Sequence, residues 1–207
     1  IVVAKNIRTP LYNFAVVVDD YLMKISHVIR GEDHISNTAK QIAVQEAFDF
    51  EGPKYAHLPL ILNPDRSKLS KRKGDVALVD YHKNGYLPEA IINFMVLLGW
   101  NPGTLLPNSG QAEKEIFSLS ELEKNFSLEK VQKAGAVFNI EKLNFINGFY
   151  IRQKPIEKLT QLCLPYLTDA GLLEKFNGDH KIISTGEEIT MIQLEKIIGA
   201  YKERLKK

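Results

Sequence analysis

Three clusters in the sequence carry residue types that could do chemistry. The first is Arg30-Gly31-Glu32-Asp33-His34. Arg30 offers a planar set of N–H donors that matches a carboxylate or phosphate in two parallel bonds, and Asp33 can accept from a ribose hydroxyl or an amino group. One arginine and two acids at a turn otherwise make an exposed ion-pair cluster. The second is Lys68-Leu69-Ser70-Lys71-Arg72-Lys73-Gly74. Two lysines three apart, a hydroxyl between them and a glycine hinge suit a cationic clamp on a phosphate chain, able to offset charge that grows in a transition state. The Gly-x-x-x-x-Gly-Lys spacing of a Walker loop is absent, and a solvated charge run or a nuclear-localisation-like patch is the plainer alternative. The third is Pro10-Leu11-Tyr12-Asn13-Phe14, where a tyrosine hydroxyl and an asparagine amide follow a turn; a core aromatic with a satisfied hydroxyl is the usual explanation. His27, His34, His57, His82 and His180 lack metal-site spacing, so no metal site is expected. Cys163 reads as a small apolar filler among Leu162, Leu164 and Leu167 rather than a nucleophile.

The elements that must position these residues follow from periodicity and punctuation. Residues 1–4 read as a strand, and residues 12–23 fit helix or strand equally well. Residues 25–30 alternate as a buried strand, Gly31-Glu32-Asp33 turns, and residues 36–48 form a helix with Ser36 or Asn37 as N-cap. After Gly52-Pro53 a second strand spans residues 57–62, completing a β-α-β unit with parallel strands and ligands at their carboxyl ends. Residues 63–75 hold five Lys/Arg against two Asp and read as a mobile loop. A short apolar stretch follows at residues 76–79. A helix is predicted from Pro88 through Leu98, with Gly99 as a left-handed cap, and residues 101–110 form a long loop. From Ser118 the pattern is helical, over 120–125, 129–133, 140–151, 155–170 with a stop at Gly171, and 187–205. In residues 140–151 the apolar face comprises Ile140, Leu143, Phe145, Ile146, Phe149 and Tyr150.

Composition bounds the rest. The chain has 207 residues, 44% hydrophobic and 25% charged, as an ordinary globular protein does. With 27 Lys+Arg against 25 Asp+Glu, no overall basic excess exists, so a nucleic-acid surface has to come from local clustering. A single cysteine excludes an intrachain disulfide framework and a multi-cysteine zinc site, and suits a reducing compartment. No apolar run approaches the roughly 20 residues a membrane helix needs, so no membrane partner is expected. The opening Ile1-Val2-Val3-Ala4 lacks a starting Met and any signal-peptide pattern, and reads as cut from something longer.

Six blocks then point to one family. They are Tyr12-Asn13-Phe14-Ala15-Val16-Val17-Val18-Asp19-Asp20, Val28-Ile29-Arg30-Gly31-Glu32-Asp33-His34-Ile35-Ser36-Asn37-Thr38, Tyr55-Ala56-His57-Leu58-Pro59, Lys68-Leu69-Ser70-Lys71-Arg72, Gly85-Tyr86-Leu87-Pro88-Glu89-Ala90 and Ile146-Asn147-Gly148-Phe149-Tyr150-Ile151-Arg152. In order and spacing they resemble bacterial-type glutamyl-tRNA synthetase, a class I aminoacyl-tRNA synthetase. The match is dense over residues 1–152 and looser beyond.

The resemblance implies an α/β fold: the C-terminal half of a Rossmann-type catalytic domain over 1–75, an α-rich stem-contact region over 76–152, and the first helices of an all-α anticodon-binding domain over 153–207. It implies activation of glutamate by ATP, with Mg2+, and transfer to the 3′ end of tRNA(Glu), in the cytoplasm and as a monomer. Tyr12, Val16 and Arg30 would line the glutamate pocket, with Arg30 on the side-chain carboxylate. Asp33 and the backbone around Ile61 and Leu62 would face the adenosine. Lys68, Leu69, Ser70, Lys71 and Arg72 stand at the family's KMSKS-type loop, with Lys68 and Lys71 as its catalytic lysines. The family's N-terminal half with its HIGH-type motif is missing, and His34-Ile35-Ser36-Asn37 is no substitute, so the chain looks like a fragment expected to be inactive alone. Rival readings are a glutamyl-queuosine-type paralogue, a glutaminyl-tRNA synthetase, and a non-catalytic tRNA-binding module.

Overall fold

The computed structural model describes residues 1–69, 77–100, 115–176 and 178–207. Among them, one compact unit gathers residues 1–69, 98–100 and 126–138, and a second gathers 77–97, 115–125, 139–176 and 178–207.

In the first unit, β1 (Ala4–Asn6) and β2 (Thr9–Pro10) form a short antiparallel hairpin. The strand expected at residues 1–4 is displaced onto this hairpin, because Ile1, Val2 and Val3 find no neighbouring strand and lie exposed. Helix α1 (Tyr12–Leu22) resolves the ambiguous segment and buries Val17. Strand β3 (His27–Gly31) leads through a 3₁₀ turn (Glu32–His34) into α2 (Ile35–Ala47), and β4 (Lys54–Leu58) returns parallel to β3, with Arg30 opposite His57. The order and parallel pairing of the β-α-β unit are as read from sequence, but its second strand begins at Lys54 rather than at His57. The N-cap is His34, not Ser36 or Asn37, since the 3₁₀ turn already winds the chain into the helix.

The strand expected over 57–62 divides. β4 stops at Leu58, ahead of Pro59, which has no N–H to continue the ladder. A separate β5 (Ile61–Leu62) pairs in parallel with β6 (Ala136–Val137). Gly135 makes this pairing possible: a Cβ there would lie 2.9 Å from the Leu60 carbonyl oxygen and 3.0 Å from Leu62 Cδ1. The helix expected at 129–133 is only a 3₁₀ turn (Leu128–Lys130), after which Val131 bridges to the buried Trp100. So short a helix has little intrinsic stability, and the extended pairing wins.

The second unit is mainly helical: α3 (Leu78–Lys83), α4 (Pro88–Gly99, whose last two residues count with the first unit), α5 (Leu119–Asn125), α6 (Ile140–Gln153) and α7 (Ile156–Asp169). Gly99 closes α4 without entering the left-handed region, so the predicted cap is absent there, while Gly171 ends α7 at φ +68° as expected. The Asn139 side chain accepts from the Glu141 and Lys142 amides and caps α6. On α6, Leu143 and Ile146 are buried, but Ile140 and Phe145 are exposed, so the apolar face is narrower than its composition suggests. Two buried asparagines tie loops to helices. Asn93 donates to the Glu115 carbonyl and accepts from the Phe117 amide and the Tyr150 hydroxyl. Asn147 bonds the backbone of Gly85, Leu87 and Lys206.

The C-terminal end is not all helix. An antiparallel meander, β7 (Leu173–Phe176), β8 (Asp179–Ile182) and β9 (Glu188–Ile189), lies between α7 and α8 (Met191–Tyr201). Leu173, Ile189 and Leu194 form its core with Leu164, Leu167 and Ile182. The helix expected from residue 187 starts only at Met191, where Thr190 and Gln193 form a capping box, because Glu188 and Ile189 are taken into the sheet. No helix among the described residues is long and apolar enough to cross a membrane.

Candidate functional site

Alternation along the parallel pair puts Val28, Arg30, Tyr55 and His57 on one face of the β3–β4 sheet. Helix α2 meets that face with Thr38, Gln41 and Gln45, spaced at three and four residues and so on one side of the helix. Four bonds tie the layers. Arg30 Nη2 donates to Thr38 Oγ1 at 2.6 Å and to Gln41 Oε1 at 2.7 Å. His57 Nε2 lies 2.9 Å from Thr38 Oγ1, and Gln45 Nε2 donates to the Tyr55 hydroxyl at 2.9 Å. Gln41 in turn donates to Asn13 Oδ1 on α1 at 3.0 Å, and the Arg30 guanidinium stands 5.4 Å from the Tyr55 ring centroid. Thr38, Gln41 and Gln45 are all buried.

This is a cation held by neutral partners. Arg30 does not pair with the acids beside it in sequence, so the cluster is not the exposed ion-pair group that its composition allows. Its Nε is buried without a hydrogen-bond partner. A partly desolvated guanidinium held by neutral partners favours an incoming anion. Asp20 senses this charge: burial pushes its carboxyl up, and the Arg30 cation partly offsets that rise.

The acids of the turn are engaged elsewhere. Asp33 Oδ2 accepts from Lys68 Nζ at 2.6 Å, and this bond holds the Asp33 carboxyl below its usual range. Glu32 accepts from the Leu60 amide at 3.3 Å. Lys68 reaches Asp33 because residues 61–69 fold back on themselves: Leu69 N donates to the Ile61 carbonyl, and Leu62 bridges to Lys68. Asn63 closes the turn through Ser67 Oγ and the Lys68 carbonyl, and Asp65 accepts from Ser67. The part of the expected mobile loop up to Leu69 is thus a bonded turn. Ser70, Lys71 and Arg72, with Lys73 and Gly74, lie outside the described residues, as do 101–114.

Tyr12 opens α1, half exposed, with its ring 6.1 Å from that of His34, and Val16 follows one turn later. Between Pro59 and the Leu128–Lys130 turn lies a cleft of about 230 Å³, lined among others by Glu32, His57 and Lys133. Sequence reading missed Thr38, Gln41 and Gln45, and set His57 aside as one of several scattered histidines. A signal was there: three polar residues recur on the α2 side that should be apolar if it only packed. No group of three or more potential metal ligands occurs among the described residues.

A family profile described as tRNA synthetases class I (E and Q), catalytic domain, matches residues 1–145. A glutamate–tRNA ligase of Desulforamulus reducens is 51% identical over 174 residues, covering 84% of this chain and 34% of that protein. One of Alkaliphilus metalliredigens is 44% identical over 204 residues, covering 99% of this chain and 38% of that protein. Among solved structures, a glutamate tRNA ligase of Elizabethkingia meningosepticum in complex with its amino acid is similar at TM-score 0.76 and 35% identity, over 99% of this chain and 40% of that one. The glutamate–tRNA synthetase of Elizabethkingia anophelis gives TM-score 0.77 and 34% identity, over 100% of this chain and 41% of that one. The chain therefore spans between about a third and two-fifths of the length of these relatives.

Proposed function

The chain belongs to the catalytic-domain family of class I tRNA synthetases for glutamate and glutamine, and from that premise we propose that it supplies the amino-acid pocket and part of the nucleotide site of a glutamate–tRNA ligase. The reaction is ATP-dependent formation of glutamyl-adenylate, then transfer to the 3′ end of tRNA(Glu). The observation that carries this reading is Arg30, a guanidinium set among neutral hydrogen-bond partners at the carboxyl end of a parallel strand. Such a group suits the side-chain carboxylate of glutamate, with Tyr12 and Val16 of α1 lining the same pocket. Similarity to glutamate–tRNA ligases over 204 residues supports this over a glutamyl-queuosine-type paralogue.

Asp33, Ile61 and Leu62 serve the adenosine. Lys68, Leu69, Ser70, Lys71 and Arg72 serve the ATP phosphates, where Lys71 offsets the charge that grows as pyrophosphate leaves. In this reading the Asp33–Lys68 ion pair opens when nucleotide enters, and each partner turns to its own part of ATP. Mg2+ would enter with the ATP phosphates, as is usual for nucleotide-bound magnesium. Residues 76–152 meet the tRNA stem mostly through phosphate and sugar contacts, and residues 153–207 begin the anticodon-binding part. The setting is the cytoplasm, and the enzyme acts as a monomer.

The test is a chimaera in which this chain replaces the matching stretch of the Alkaliphilus relative, assayed by glutamate-dependent ATP–pyrophosphate exchange. Arg30→Leu in it should weaken glutamate by about 2–5 kcal/mol and ATP far less. Equal losses for both substrates would remove Arg30 from the glutamate pocket. Alone, the chain should show no exchange, because one wall of a crevice cannot hold two reactants in near-attack geometry.

A further inference from the structure

A guanidinium has five N–H bonds, and both of its two-bond grips on a carboxylate, the Nη1/Nη2 end and the Nε/Nη2 side, use Nη2. In this protein both Nη2 hydrogens are taken by α2, one by Thr38 Oγ1 and one by Gln41 Oε1. Nε is buried and unpaired, and Nη1 makes no hydrogen bond among the described residues. We propose that Thr38 and Gln41 are positioning residues for Arg30: they commit Nη2, fix the guanidinium plane and leave Nη1 as the donor offered to a substrate carboxylate. This rests on the reading of Arg30 as the glutamate-binding residue.

The acceptors are themselves held in place. Gln41 gives its amide hydrogen to Asn13, which turns its oxygen toward Arg30. Thr38 has one hydroxyl hydrogen, and its geometry directs it to the His34 carbonyl at 3.1 Å. Thr38 Oγ1 then accepts from both Arg30 and His57, so His57 is the Nε2–H tautomer. The Tyr55 ring lies beside the guanidinium and limits its swing. Asn13, Gln41, Thr38 and His57, on α1, α2 and β4, thereby converge on one nitrogen of Arg30, and the anion meets a donor that does not have to be reoriented.

The test uses the chimaera with the Alkaliphilus relative, in which the pocket is complete, with arginine and histidine labelled with ¹⁵N for NMR. Two resolved Arg30 Nη signals are expected, with the His57 ring in the Nε2–H form, and added glutamate should shift the Nη1 signal alone. Thr38→Val should merge the Nη signals, release the His57 tautomer and raise the glutamate needed for half the shift by about tenfold to a hundredfold, the worth of one charged hydrogen bond. Thr38→Ser should restore all three readouts. Gln41→Glu keeps an acceptor on Nη2 but adds a charge; it should preserve the two signals while weakening glutamate, and it decides the matter should Thr38→Val fail to fold. A single averaged Nη signal in the wild type, a shift of Nη2 with glutamate, or unchanged glutamate response in Gln41→Glu would each overturn the proposal. Separate Nη signals that respond to the Thr38 and Gln41 substitutions but never to glutamate would uphold the positioning role and overturn the glutamate reading of Arg30.

Discussion

Asn147, fully buried in α6, is the point where the second unit is most open to a measured blow. Its Oδ1 accepts from the Leu87 amide at 2.8 Å, and its Nδ2 donates to the Gly85 carbonyl at 3.1 Å and the Lys206 carbonyl at 2.7 Å. Asn147→Leu keeps the branched outline, with bulkier ends, and removes all three bonds. Each is worth about 0.5–1.5 kcal/mol net, and the Leu87 N–H is left without its acceptor, so the expected loss is about 2–4 kcal/mol. That is a large share of a stability that for ordinary domains is about 5–15 kcal/mol. Asn147→Asp separates hydrogen bonding from volume. A carboxylate still accepts from Leu87, but it turns an unprotonated oxygen toward two carbonyls, and both burial and those oxygens raise its folded-state pKa. A raised folded pKa means stability that is present in acid and lost as pH rises through that value. Urea unfolding followed by far-ultraviolet circular dichroism, across acid to neutral pH, measures both effects. A loss below about 0.5 kcal/mol for Asn147→Leu, the range of an ordinary surface change, would refute this account, as would a pH-independent loss for Asn147→Asp.

Gly135→Ala should cost about 1–3 kcal/mol by forcing a Cβ against the Leu60 carbonyl, and should speed hydrogen exchange at the Phe138 amide, which donates to the Leu62 carbonyl at 2.8 Å; unchanged protection would show that the close approach is dispensable. Asp33 should titrate below an ordinary aspartate and return toward the usual range in Lys68→Met, because the Lys68 bond is the main cause of its shift. A depressed folded pKa places its contribution above the unfolded pKa and removes it as pH falls through the folded value, and salt should shrink the effect at this exposed pair; side-chain carbon NMR that finds the same midpoint in both proteins would contradict this. Burial pushes the Cys163 thiol up, so alkylation should be slow in the folded chain and its pH midpoint higher than for free cysteine, with unfolding abolishing the difference. Equal rates in the folded and unfolded chain would show that burial does not govern this thiol.

The β-α-β unit was legible because its signals are local: an alternating strand, a turn and a helix, with a second strand after Gly52-Pro53. The α1 segment was not, since Val16, Val17 and Val18 favour strands by side-chain shape, and only packing of Val17 decides for helix. The meander was missed although Asn177-Gly178, a strong hairpin dipeptide, stands between β7 and β8 in the sequence. Charges hid the alternation there: Glu174 and Lys181 pair on one side of this small sheet, and Lys175 stands on the other, the side of buried Leu173. Arg30 and Asp33 stood out by type and place. Their partners did not: Thr38 and Gln41 have ordinary helix-surface chemistry, and only the register of two strands and a helix turns them inward.

That register has a consequence for how the chain can vary. Arg30 lies opposite His57, and both face α2 only because the five paired residues of β3 and β4 are in step. Side chains alternate along a strand, so one residue inserted between Lys54 and His57 would turn His57 to the opposite face, while the same insertion in the connection at residues 48–53 would leave the pairing intact. A scan of single-residue insertions should therefore draw the outline of the site more sharply than a scan of substitutions. Val28, apolar and without a side-chain hydrogen bond, should accept other apolar side chains but no change of length.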